Sequence, residues 1–191
     1  MAFYKKMLHN YMAIEYLEIV KPHIKISREI TQEDLASPEF GLLCANMIAL
    51  CRKGNGVYEG FFAVAHPQVN NTDPLRFFII GDKYKHKFED QIIANPVITR
   101  HTKTTVKSYE GCLSFSNYPM TEAQRYNKTE VDYTPVILDK EGKAIFSNKK
   151  HVNLSSKEAK IFQHEIDHLD AKYIYPLEIE KEEVDTNASK N

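Results

Sequence analysis

Apolar and polar positions alternate most regularly near the end of the chain, where Ala159, Phe162, Ile166 and Leu169 recur at helical spacing as one apolar stripe. Ser155 followed by Glu158 has the spacing of a capping box and predicts that this helix starts there. Earlier in the chain, Tyr11, Ile14, Leu17 and Val20 share one weakly amphipathic face, which predicts a short helix or docking arm over residues 1–20. Pro22 ends it, and Ile24, Ile26 and Ile30 predict an extended stretch. Thr31 to Leu35 with Phe40, Leu43, Met47 and Leu50 predicts one helix running to about residue 52, with Glu33 and Asp34 at the positive end of its dipole.

After the turn signal Lys53-Gly54-Asn55-Gly56 the period changes to that of strands. Residues 60–68, 76–81 and 91–98 are apolar β-rich runs, and residues 102–109 read as an exposed polar strand. Residues 130–139 and 143–146 predict a hairpin turning at Lys140-Glu141-Gly142, and Pro135 predicts that its first strand is an edge or bulged one. Strands first and the longest helix last predict an α+β fold, an antiparallel or mixed sheet packed around the final helix. Residues 1–177 are read as a single domain and residues 178–191 as an acidic, flexible tail.

Composition narrows the classes. A chain of 191 residues with 42% hydrophobic and 27% charged residues has material for one ordinary globular core. A net charge of −1 makes no electrostatic case for nucleic acid or an anionic membrane as main partner. No apolar run approaches the ~20 residues of a membrane span, and the N-terminal residues lack a secretory pattern, so a cytoplasmic protein is expected. Three cysteines are too few for a disulfide framework. Cys44 and Cys51, on the predicted helix, are expected to pack as buried hydrophobes.

The chemistry lies in His164-Glu165-Ile166-Asp167-His168. His164 and His168 stand one turn apart, so their imidazoles can take adjacent corners of one metal's coordination sphere. Glu165 lies beside them, able to reach a water without being a ligand. This face borders the apolar stripe, which leaves little of the helix for solvent. Two histidines need a third ligand. Metalloproteases that supply it downstream use a Glu or a His at spacings this chain does not offer. Cys112, in Glu110-Gly111-Cys112-Leu113-Ser114, fills the place better than any later carboxylate.

These two strings, in this order, resemble those of the peptide deformylase family, and the match continues through Leu169-Asp170. The family's first motif, a Gly-x-Gly-Leu-Ala-Ala-x-Gln string, aligns with residues 61–68: Gln68 is kept, while Phe61 and Ala63 stand in place of the two glycines. The resemblance covers about residues 20–177, with residues 54–58 as an insertion. It implies removal of the formyl group from N-formyl-methionine of nascent polypeptides, with release of formate. It implies Cys112, His164 and His168 as ligands of one divalent ion, commonly Fe²⁺ in the family, with Zn²⁺, Ni²⁺ or Co²⁺ as alternatives. Glu165 would be general base and then acid, and Gln68 with the Leu113 N–H would hold the oxyanion. Phe61 and Ala63 would line the substrate, shifting its selectivity against bulk just after Met. His66 is expected to pack or to support the site, and Arg125 either to pair with an acidic group such as Asp167 or to be a solvated surface residue. A monomer is expected, with at most transient ribosome contact and none through the acidic tail, since phosphate backbones repel it. The rival reading is a retired deformylase fold that binds peptides without cleaving them.

Overall fold

The structure is a computed structural model that describes residues 17–22, 24–54, 62–81, 88 and 92–177. Among the described residues the first two helices are α1 (Gln32–Ala36) and α2 (Pro38–Lys53). The single helix expected here is therefore broken. Ser37 has φ −71° and ψ 127° because the residue before a proline is pushed out of the helical region, and Pro38 then opens α2 at its first position. Thr31 and Asp34 form a reciprocal capping box at α1. Of the helix or docking arm expected over residues 1–20, the described residues 17–22 are not helical; residues 1–16 lie outside the description. Instead, the Val20 N–H donates to the Gln68 carbonyl at 2.9 Å. Beyond it, Ile24 and Ile26 are exposed in extended chain, and Ile30 is buried.

The main sheet is antiparallel: β1 (Ala63–Ala65), β2 (Phe77–Ile80), β3 (Ile92–His101), β6 (Lys128–Leu138) and β7 (Ala144–Phe146) follow in that order. β8 (Lys150–Ser155) also pairs with β6, and β4 (Thr105–Glu110) forms a separate hairpin with β5 (Thr121–Tyr126). The final helix, α3, spans Ser156–Leu169. A helix covers each face of the sheet. Phe77 and Ile79 join Phe40, Cys44, Met47 and Cys51 of α2 in one core, while Phe78 and Ile80 join Phe162, Ile166 and Leu169 of α3 in the other. Burial on both faces is why β2 reads as an unbroken apolar run. Cys44 and Cys51 are buried, as expected.

Several expectations are corrected in detail. Of the run over residues 60–68, the described part is strand at Ala63–Ala65 and then turns through a 3₁₀ segment, His66–Gln68, with Pro67 in its first turn. β6 is an interior strand, not an edge, and its pairing with β3 is irregular, the register shifting between Ala94 and Val97 and between Ile98 and Arg100. Pro135 is tolerated because its outward side falls between β7, which pairs from Val136, and β8, which ends its pairing at Tyr133. Ser155 does precede α3, but its side chain makes no capping bond. Ser156 has φ 51°, and its N–H continues the strand pairing by donating to Asn127 O at 2.9 Å. β5 and β8 had no counterpart in the sequence reading.

Candidate metal centre and cleft

Two elements bring the chemistry together. β4 ends at Glu110, and after Gly111 the chain turns so that Cys112 opens a 3₁₀ segment, Leu113–Phe115. α3 packs against β1, β5 and β8, and its helical phase sends His164, Glu165 and His168 toward that turn. One ligand atom from each of Cys112, His164 and His168 lies within 4.8 Å of the others. Cys112 Sγ stands 3.3 Å from His168 Nε2. Donors held tetrahedrally at about 2.0–2.3 Å from one ion stand about 3.4–3.6 Å apart, so the spacing fits a single ion. One thiolate sulfur and two imidazole nitrogens suit Zn²⁺ or Fe²⁺ better than Mg²⁺ or Ca²⁺.

Arg125 of β5 fastens these elements. It is 5% exposed, and it donates from Nε and Nη2 to the two oxygens of Glu110 at 2.9 and 2.8 Å. Its Nη1 donates to Asp167, the pairing anticipated from sequence. Glu110 Oε2 in turn meets His164 Nδ1 at 3.0 Å, which leaves Nε2 of that ring to face the cluster. This role of Glu110 was missed, although the residue opens the Glu110–Ser114 string. Burial would raise the Glu110 carboxyl, but His164 and Arg125 outweigh it and hold the group down to about 2. The same partners act on His164: burial opposes the proton, while Cys112 and Glu110 push the ring up to about 10 in the absence of an ion's field. The depressed Glu110 carboxyl stabilises the fold above about pH 4.5, and that contribution is lost as pH falls toward about 2. Denaturant unfolding at stepped pH is expected to show this loss. Glu110→Gln should flatten the acid limb and remove ~3 kcal/mol at neutral pH, as breaking a buried ion pair does.

Glu165 is 5% exposed, and its Oε2 accepts no hydrogen bond among the described residues. Desolvation pushes its carboxyl up to about 7, against the pull of His164. Gln68 is also buried; its Oε1 accepts from the Ala65 N–H at 2.9 Å and its Nε2 donates to Ser114 Oγ at 3.2 Å. The Ala65 bond fixes which end of the amide faces Ser114 and the cleft. His66 is a packing residue: it is 1% exposed, stacks on Phe77, and accepts the Leu75 N–H at Nδ1.

These groups open onto a cleft of about 510 Å³, lined among others by Gln68, Cys112, Leu113, His164 and Glu165. Ala63 and the half-exposed Phe62 form part of the same wall; Phe61 lies outside the described residues. Phe115, Tyr118 and Tyr175 pack ring against ring beside it, and Tyr173 lies edge-on to His168. No motif or periodicity in the sequence marks these aromatics for the site.

Among solved structures the architecture is that of a class I type b peptide deformylase from Acinetobacter baumannii bound to Met-Ala-Ser, with a TM-score of 0.64 over 84% of this chain and 97% of that one. At 21% identity that likeness is one of fold. Peptide deformylase 2 of Nostoc sp. is 34% identical over 134 residues, 67% of this chain and 65% of that protein. Chloroplastic peptide deformylase 1A of Solanum lycopersicum is 29% identical over 159 residues, 75% of this chain and 51% of that one. The chain thus spans between about half and two thirds of the length of these relatives. Residues 17–182 match the polypeptide deformylase family, and the chain belongs to that family.

Proposed function

We propose that this chain is a metal-dependent amide hydrolase that removes the formyl group from N-formyl-methionine of nascent polypeptides. The observation that carries this reading is the meeting of Cys112, His164 and His168 with a buried Glu165 and an oriented Gln68 in one cleft. Fe²⁺ is the ion we assign, with Zn²⁺, Ni²⁺ or Co²⁺ able to replace it. Bound there, the ion would supply the Lewis acidity that makes water nucleophilic near neutral pH. Glu165, with a carboxyl near neutrality, takes a proton from the attacking water and gives it to the departing amine. Water adds to the formyl carbon, the C–N bond breaks, and formate leaves beside a free α-amine. Gln68 Nε2 and the Leu113 N–H donate to the oxygen that becomes negative, each donor being worth about 10²–10³ in kcat. Ala63, in place of one of the family's glycines, bounds the substrate strand, and with Phe61, which replaces the other and lies outside the described residues, is assigned the disfavouring of bulk just after Met. The assignment makes α3 the metal-binding helix of a single domain, residues 1–177, in a cytoplasmic monomer. Residues 178–191, outside the described residues, add no ribosome affinity in this reading.

Formyl-Met, acetyl-Met and unblocked Met peptides of one sequence separate the possibilities. The iron-loaded protein is expected to release formate from the first alone, leaving the other two unchanged. Tight binding of the formyl peptide with no formate released, at full metal content, would establish the retired-enzyme alternative instead.

A further inference from the structure

The loop that carries Cys112 and Leu113 is long and open. Residues 111–120 join β4 to β5, where a hairpin turn needs about two to five residues, and Ser116 to Met120 are exposed. A segment of this kind opens cheaply unless packed side chains grip it. Within it the Phe115 N–H donates to Cys112 O at 3.0 Å and the Tyr118 N–H to Phe115 O at 2.9 Å, two turns in succession. Both proposed oxyanion donors depend on where these turns sit. The Leu113 N–H belongs to the first of them, and Gln68 Nε2 meets it at Ser114 Oγ.

The grip comes from the chain that leaves α3. Ala171 is left-handed, with φ 54°; its N–H donates to His168 O at 3.1 Å and the Lys172 N–H to Asp167 O at 2.7 Å. This turn ends the helix and sends residues 173–175 against the loop as a strap. Tyr175 is the buried member of the strap. Its ring lies 5.0 Å from Phe115 and 5.1 Å from Tyr118, centroid to centroid, and its hydroxyl donates to Pro119 O. Tyr173 packs between Phe115 and His168, at 5.7 and 5.2 Å. The loop is therefore held before Leu113 by Arg125, which grips Glu110, and after it by Tyr175 at Pro119. We infer that Tyr175 is a positioning residue for the deformylation: its hold on Pro119 fixes the loop so that the Leu113 N–H meets the oxygen that becomes negative. The inference rests on the deformylase reading and extends its oxyanion site to a side chain beyond α3. A donor placed for the transition state raises kcat and leaves KM alone, so its misplacement lowers kcat alone.

Tyr175→Phe keeps the ring and removes only the donor. On C-terminally amidated formyl-Met-Ala-Ala its kcat is expected to fall about tenfold, with KM within about twofold of wild type and iron content unchanged. Hydrogen exchange at the Phe115 and Tyr118 amides should quicken at least about fivefold, with the α3 amides unaffected. Tyr175→Leu, which also loses the ring contacts, should exceed both effects; if it does not fold, the Phe variant decides alone. Wild-type kcat in Tyr175→Phe would overturn the inference and leave the deformylase reading standing. A fall in kcat accompanied by lost iron would overturn it too, because Tyr175 would then act on the metal centre or the fold. Unchanged exchange beside a lowered kcat would remove the loop as the route and overturn it likewise. No formate from the wild type would overturn both the inference and the reading it rests on.

Discussion

Cys112→Ala is expected to fold and to come through purification with almost no bound iron, and its formate release should fall at least about a thousandfold. Two imidazoles remain in place, but a first-row divalent ion held by two neutral nitrogens has lost its one anionic, soft donor. Loss of the Lewis acid alone removes several kcal/mol of transition-state stabilisation, and each ~1.4 kcal/mol is tenfold in rate. Cys44→Ala and Cys51→Ala supply the contrast. Those thiols lie in the core beneath α2, and burial pushes the Cys44 thiol up, so neither is poised to ligate. They should lower stability and keep a full complement of metal. Metal analysis of anaerobically purified protein decides the matter, and stoichiometric iron in Cys112→Ala would remove Cys112 from the ligand set.

Glu165→Gln should show the opposite separation. The amide is nearly isosteric, and Glu165 is not among the three clustered donors, so the ion stays. It cannot carry a proton, and turnover should fall about 10³-fold or more, mostly in kcat, with KM little changed. Loss of metal along with activity would show that Glu165 helps to hold the ion. Retention of more than about a tenth of wild-type kcat would show that another group moves the proton.

What could be read from the sequence followed the contrast between apolar and polar positions. α3, β2, β3 and the β6–β7 hairpin each bury a face or both, so their periodicities stood out. β5 and β8 were illegible for the same reason: Thr121–Tyr126 and Lys150–Ser155 bury only Arg125 and Leu154 and are held by backbone pairing, which leaves no side-chain signature. The apolar stripe carried the eye across Ser37-Pro38, where backbone sterics break the helix. At the site, the two histidines and the cysteine were legible because short motifs fix their spacing. Glu110 was not, because its meaning depends on a guanidinium 15 residues away across a hairpin.

The grip of Arg125 also bears on how the protein acquires its ion. One planar group holds Glu110, two residues before Cys112, and Asp167, one residue before His168, and Glu110 orients His164. On the proposed assignment the backbone carrying every donor is therefore fastened by ordinary ion pairs, with nothing contributed by the metal. A zinc finger gathers its donors by folding around the ion, so there stripping the ion and unfolding the chain are one event. Here assembly and loading are expected to be separate events, so that chelating the metal leaves the chain folded and a second ion can be taken up without refolding.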